Sequence, residues 1–458
     1  MRKIGKPMTN HRRLPQSRRL IVLMIAISVT GINASRGSVV ATSTAAQSTI
    51  VLQTTAVPLT GTFQVVNNGP GNQTNPHINC DIASYTNDDF MGRSTLHYWD
   101  FATGIDSVIP GNDIDLLSDV SGGRIAFTEV REDGDHVIVY DTVSQTSTFI
   151  PGVGKSHPAI NGNLVAFEDR SFLAGNQVEI STYDLSTGIV TRLTNDALFD
   201  RNPSVSPTAN AVVWEKCQTD GTGCDIYSAI QTSPGVFTTR ALTGAAGEDR
   251  FPDTNGQTVV YTSNRGGETD IYFQPIEGGA ETQLSIPGNQ RDVTISGNLI
   301  AFESQVQLVG TTEYDVFVYD LSTGNLYLVT NTPGVDETLS DLSVCNGIGR
   351  IVYAVPGAGD FDVYAFTFQV PSSTPNQIDD LIALIQSFNL PDGTENSLIT
   401  KLQDALAAIG ASDTATACDS VTAFINECQA QSGKKLTADQ AMQLINSANQ
   451  IKTDLGCP

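Results

Sequence analysis

The six residues YDLSTG occur at Tyr183–Gly188 and again, unchanged, at Tyr319–Gly324. Looser versions lie at Trp99–Gly104 (WDFATG) and Tyr140–Gln145 (YDTVSQ). Such recurrence constrains the fold strongly, because a repeated unit must bury its apolar face against copies of itself. Aligning on it exposes a second mark upstream, a small or β-branched residue followed by an aromatic. The pairs are Ser84-Tyr85, Ala126-Phe127, Ala166-Phe167, Val213-Trp214, Val260-Tyr261, Ala301-Phe302 and Val352-Tyr353. They stand roughly 40 to 50 residues apart, the spacing of a repeat array.

One unit parses as four strands separated by turn residues. In the sixth these are Val293–Ser296, Leu299–Glu303, Asp315–Tyr319 and Asn325–Val329, called a to d. YDLSTG then marks the c-to-d corner, where Asp bonds nearby backbone N–H groups and Gly supplies positive φ. Its role is structural. Four antiparallel strands per unit, repeated seven times, predict an all-β, seven-bladed β-propeller. The last unit runs into Pro371 with no strand d, while Thr62–Val66, followed by NNGPG, reads as a strand d without predecessors. The N-terminal strand is therefore expected to complete the last blade and close the ring.

Ser263–Phe273 (SNRGGETDIYF) resembles the b-to-c hairpin of TolB-type, WD40-like propeller repeats, found in many exported bacterial proteins. The same Asp–Ile/Val–aromatic core recurs at Asp225-Ile226-Tyr227, Asp270-Ile271-Tyr272, Asp315-Val316-Phe317 and Asp362-Val363-Tyr364. The resemblance covers residues 62–369 and implies the propeller fold. TolB also carries an N-terminal α/β domain, which is not seen before residue 62, so its partners are not carried over.

The cysteines test the ring. Cys217 and Cys224 flank a b-to-c hairpin and are expected to bridge it. Cys80 and Cys345 both end a strand a, in repeats one and seven, which are neighbours only when seven blades close; a bond between them would seal the ring. Beyond the Pro/Ser linker 370–375, apolar periodicity turns helical over Ile378–Leu390, Asn396–Ile409, Ala415–Ala430 and Ala438–Leu455. Residues 376–458 thus predict a small all-α bundle stapled by Cys418–Cys457, with Cys428 buried and free. This module would serve as an attachment device or a terminal cap.

Residues 1–34 read as a signal peptide, with cleavage near Ala34 or as late as residue 46. A basic stretch precedes the apolar run Leu20–Ile32, which is short for a membrane span. Sec and twin-arginine export both fit. Residues 35–61 are read as a flexible segment. Residues 1–34 hold seven of the 25 basic residues and none of the 49 acidic ones, so removing them makes the net charge of −24 more negative still. That balance argues against nucleic-acid binding. The chain is expected to be exported to the periplasm or cell surface, monomeric, and in contact with membrane only through its leader.

Motifs for chemistry are sparse. No G-x-S-x-G elbow, H-E-x-x-H or C-x-x-C is present, and no cofactor signature is found. Ile150–Ser156 (IPGVGKS) fails as a phosphate loop because Phe149 stands where its first glycine belongs. Glu132, Asp133 and Asp135 form an acidic hairpin tip. His77 and His157 fall near the starts of strands a, where channel ligands could sit. The strongest constellation is Arg201, Arg250 and Arg291 at matching d-to-a positions of repeats four to six. Asp113, Asp115, Asp336 and Glu337 occupy the same kind of loop in repeats two and seven. Facing arcs of opposite charge would orient a peptide end or an acidic group; alternatively each arginine pairs with a neighbouring acid and only fixes a loop. The functional expectation is a non-enzymatic scaffold that binds a protein or peptide at a face or channel mouth. The alternatives are a polysaccharide-acting enzyme at the channel and an adhesive surface protein acting through its helical tail.

Overall fold

The computed structural model describes residues 48–51, 56–111, 114–171, 177–207, 210–305, 313–357, 359–371, 374–388, 390–411 and 413–457. The expected signal peptide, 1–34, lies outside them. Seven antiparallel sheets follow one another in chain order. The first runs through Asn72–Asn79, Ile82–Asp88, Ser94–Asp100 and Ile105–Val108. The seventh joins Thr338–Cys345, Ile348–Pro356 and Phe361–Gln369 to Gly61–Asn67, so the N-terminal strand does complete the last blade. Ring closure thereby places first and last repeats side by side and leaves no open end.

All seven aromatics of strand b are buried, with relative exposures from 0% to 4%. Each packs against the preceding blade. Phe167 meets Ala126 and Val139 of blade two, Trp214 meets Ala166 and Ile180 of blade three, and Tyr85 meets Val352 and Val363 of blade seven. A sheet of four short strands has two apolar faces, and its neighbours cover both. This explains the insistence of the sequence on one large ring per repeat.

The YDLSTG corners carry the same bonds. Asp184 Oδ1 accepts from the Ser186 N–H (2.8 Å) and hydroxyl (2.6 Å), and Asp320 Oδ1 does so from Ser322 (2.8 and 2.7 Å). Gly188 and Gly324 both have φ of 72°, which an L side chain would resist.

The stretch expected to be flexible, 35–61, contains two short strands. Ser48–Val51 adds in parallel to the outer strand of blade five, and Val57–Pro58 to that of blade six. Main-chain pairing fixes these pieces although Ser48, Thr49, Val57 and Pro58 are exposed, and Ile50 packs against the apolar core beneath.

Three disulfides form: Cys80–Cys345, Cys217–Cys224 and Cys418–Cys457, with Cys428 free and buried. The first joins blades one and seven, with Cα atoms 5.4 Å apart. The helical module comprises α1 (Thr374–Ser387), α2 (Asp392–Gly410), α3 (Thr414–Gln431) and α4 (Ala438–Asp454). Its apolar core, including Ile385, Leu402, Phe424 and Leu444, is drawn from the module itself. Thr437 and Gln440 cap α4 reciprocally, Gln440 N–H to Thr437 Oγ1 (3.1 Å) and Thr437 N–H to Gln440 Oε1 (2.9 Å). No helix among the described residues is long and apolar enough to cross a membrane.

Candidate functional site: the waist of the channel

Strand a of each blade lines a central cavity of about 570 Å³. In every blade the pairing of strands a and b breaks at the same place, for example between Arg250 and Asp253 or Arg291 and Thr294. In six blades the irregular residue is left-handed: Asn75, Leu117, His157, Asn202, Phe251 and Asp292 have φ between 49° and 55°. A bulge interrupts the alternation of a strand and re-aims the side chains around it. Just beyond it stands one cavity-lining residue per blade: His77, Asp119, Ala159, Ser204, Asp253, Thr294 and Asp341.

These residues form a polar arc around the waist. Ser204 Oγ donates to Asp253 Oδ1 (2.7 Å), and Thr294 Oγ1 reaches Asp253 Oδ2 (2.8 Å) and Asp341 Oδ1 (3.3 Å). His77 Nδ1 lies 3.6 Å from Asp341 Oδ2 and 3.9 Å from Asp119 Oδ1. Ala159 alone contributes no polar group. The carboxylates also tie the ring together, each accepting a backbone N–H from the next blade. Asp119 holds Ile160 (2.7 Å), Asp253 holds Ile295 (2.8 Å) and Asp341 holds Ile78 (2.9 Å).

Enclosure and mutual repulsion act on these groups. Burial, with Asp341 adding repulsion, pushes Asp119 up to about 6 despite the His77 charge beside it. Burial also raises Asp253, assisted by Asp341. For His77, burial opposes the charged form, but contact with Asp341 and the charges of Asp119 and Asp253 prevail and raise its pKa. Among the described residues, the lining contains four aspartates (Asp119, Asp253, Asp292 and Asp341) and no lysine or arginine.

A second ring of carboxylates stands one step along strand b from the aromatic marks. Glu168, Glu215 and Glu303 are buried, and each accepts the N–H at the bulge of the following blade's strand a. Asn202 N–H reaches Glu168 (3.3 Å), Phe251 reaches Glu215 (2.7 Å) and Leu339 reaches Glu303 (2.6 Å). Here the expected arginine arc is accounted for. Arg201 and Arg250 both approach Glu215 Oε2 (3.4 and 3.6 Å), and Arg291 pairs with Glu303 while stacking over Tyr314 (3.7 Å). Arg250 also donates to Glu248 and to the Gly221 carbonyl, both at 2.7 Å. All three guanidiniums are thus spent on acids of strand b and its surroundings. The acids adjacent in sequence to Arg201 and Arg250 are engaged elsewhere: Asp200 holds Trp214 and Lys216, and Asp249 holds Arg265. Asp292 does lie 3.7 Å from Arg291.

On the acidic side, Asp113 lies outside the described residues. Asp115 and Glu337 are buried, and the exposed Asp336 accepts the Tyr314 N–H (2.8 Å). The described arginines and Asp336 are thus engaged by partners within the fold. His157 lines the cavity, but its Nδ1 meets both Ser156 Oγ (3.2 Å) and Glu168 (3.4 Å). One ring nitrogen serving both partners cannot relay a proton between hydroxyl and acid. His97 has the proper order, Thr95 Oγ1 on Nε2 (3.3 Å) and Asp106 on Nδ1 (3.0 Å). Tyr85 also binds Asp106 (2.6 Å), and the cluster joins outer strands of blade one away from the cavity lining.

Sequence reasoning placed His77 correctly near the channel and missed Asp119, Asp253 and Asp341. A faint signal exists in PHIN, SDVS, PAIN, PSVS, PDTN, VTIS and SDLS, where the second letter is the waist residue.

No protein family and no curated protein sequence matches the chain. Solved structures do. A puromycin hydrolase complexed with PGG aligns with a TM-score of 0.50 at 18% identity, covering 65% of this chain and 52% of the hydrolase. This chain thus spans about half that enzyme's length. The β-propeller domain of the Trilobed protease from Pyrococcus furiosus aligns with a TM-score of 0.51 at 10% identity, covering 66% of this chain and 99% of that domain. TolB from Acinetobacter baumannii aligns at 0.36 with 17% identity, covering 64% of this chain and 79% of TolB. At such identities the likeness establishes the fold, a β-propeller. It also corrects the expectation of a non-enzymatic scaffold, since the matched propellers belong to a hydrolase and a protease.

Proposed function

We propose that the chain is a peptidase-type propeller whose channel receives the cationic end of a peptide and orients it for hydrolysis. The supporting observation is the waist, where four aspartates line the cavity and no lysine or arginine does. A peptide α-amine is compact, positively charged and rich in donors, and preorganised carboxylates in an enclosed space bind it more strongly than water-exposed ones. The Asp–Ile/Val–aromatic hairpins support a TolB-type repeat. Three disulfides support maturation in an oxidising compartment, consistent with the leader read from residues 1–34.

The test compares matched peptides with free and acetylated N-termini, bound in EDTA and followed by anisotropy, with products read by mass spectrometry. The free amine is expected to bind at least about tenfold more tightly, and Asp253→Asn should erase that preference. Equal affinity for the two peptides would refute recognition at the waist. Binding without any cleavage would refute the hydrolytic half of the proposal.

A further inference from the structure

The waist ring has two unlike halves. From blade four to blade six, hydroxyls satisfy the carboxylate: Ser204 and Thr294 bracket Asp253 at 2.7 and 2.8 Å. From blade seven through blade two, an imidazole stands between two carboxylates instead. Its Nδ1 lies 3.6 Å from Asp341 and 3.9 Å from Asp119, beyond the usual 2.7–3.2 Å of a direct N–H···O bond. All three donor atoms fall within 4.8 Å of one another. Donors held about 2.0–2.2 Å from one metal ion stand about 3–4 Å apart, so these separations suit atoms that share an ion.

The carboxylates are also aimed. Asp341 is held by the backbone N–H groups of Ile78 (2.9 Å) and Leu342 (2.8 Å), and Asp119 by those of Ile160 and Val120 (both 2.7 Å). Orienting bonds of this sort fix ligand geometry before the ion arrives. The two oxygens nearest His77, Asp341 Oδ2 and Asp119 Oδ1, each accept one such bond and keep a lone pair for an ion. On the far side of Asp119, Ala159 presents a methyl group to the cavity, leaving room for water or substrate at a further position.

We propose that His77, Asp119 and Asp341 form a binding site for one divalent transition-metal ion of the Zn²⁺ or Mn²⁺ kind. One nitrogen and two carboxylate oxygens suit such ions better than they suit Ca²⁺, which prefers six to eight oxygens. The site is independent of the peptide reading, for it needs no peptide to fill it.

The purified full chain, stripped with EDTA, is titrated at neutral pH with Zn²⁺ or Mn²⁺ alone by calorimetry. The expected result is one saturable site. His77→Gln and Asp119→Asn should each weaken it at least about tenfold, and His136→Ala, which removes the hairpin pair with Asp133, should leave it intact. Absence of a saturable site, or a site that persists in both variants, overturns the proposal. Should a variant fail to fold, Mn²⁺ broadening of the imidazole resonances in the unaltered chain decides: His77 must broaden first, and broadening of His136 alone refutes the site. Peptide preference is measured in EDTA and metal binding without peptide, so either reading can fail alone.

Discussion

The propeller contains two sets of carboxylates that perform one structural task and differ in what covers them. Glu168, Glu215 and Glu303 each hold the strand a of the next blade at its bulge. Asp119, Asp253 and Asp341 hold strand a of blades three, six and one, three residues beyond the bulge. The glutamates are covered by Arg170, by Arg201 with Arg250, and by Arg291. The aspartates have no arginine and look into a cavity. A buried carboxylate paired with guanidinium is a fastener. One left to hydroxyls and a histidine keeps the capacity to bind a cation. Difference in cover, rather than in acid, separates scaffold from candidate site.

The largest predicted effect breaks the fastener. Glu215→Ala strips the partner from Arg201, Arg250, the Asn202 amide and the Phe251 N–H together. Uncompensated buried charge costs about 3–5 kcal/mol, to be read as a lower urea midpoint at unchanged m-value. A loss under about 1 kcal/mol would mean the ring is not held there. The paired change Asp119→Asn with Asp341→Asn should cost only about 1–2 kcal/mol, because an amide oxygen still accepts from Ile160 and Ile78. The same double variant should lose cation binding altogether. If its stability falls as far as that of Glu215→Ala, the two rings are equivalent and the distinction drawn between them collapses.

Part of this was legible in the chain. Regularity carried the fold: YDLSTG set the period, and one aromatic per repeat marked the contact between blades. Cys80 and Cys345 could be matched because both end a strand a. The arginines were legible as equivalent positions, but their partners were not. Glu215 follows Trp214 and Glu303 follows Phe302, in AFE- or VWE-like triplets, and nothing local says that a guanidinium from strand a will fold onto them. The aspartates were hidden for a different reason. A bulge breaks the period-two pattern at the point where they turn inward, and only three of seven repeats spell Asp there. A repeat reveals what all copies share, whereas a site is made where copies differ.

A third group of acids tests the rule that cover decides, with a smaller expected effect. Burial, joined by repulsion from Glu337, Glu313 and Asp336, pushes Asp315 up to about 7. Burial raises Glu337 as well. No arginine is among the main causes of either rise. An acid whose folded pKa exceeds its unfolded value near 3.9 retains a proton that the unfolded chain releases. Its folded form is therefore favoured at low pH, and stability drains away as pH rises from about 4 to about 7, then levels off. Asp315→Asn replaces the protonated form with a permanent neutral. At pH 7.5 the variant should be more stable than the parent by about 1–2 kcal/mol, a figure discounted for solvent near the exposed Asp336. At pH 4.5 the two should melt almost together. Thermal unfolding at both values reads the result. A gain equal at the two pH values would reflect packing, and a loss at pH 7.5 would show that the carboxylate is ionised and held by a partner, placing Asp315 with the fasteners instead of with the uncovered acids.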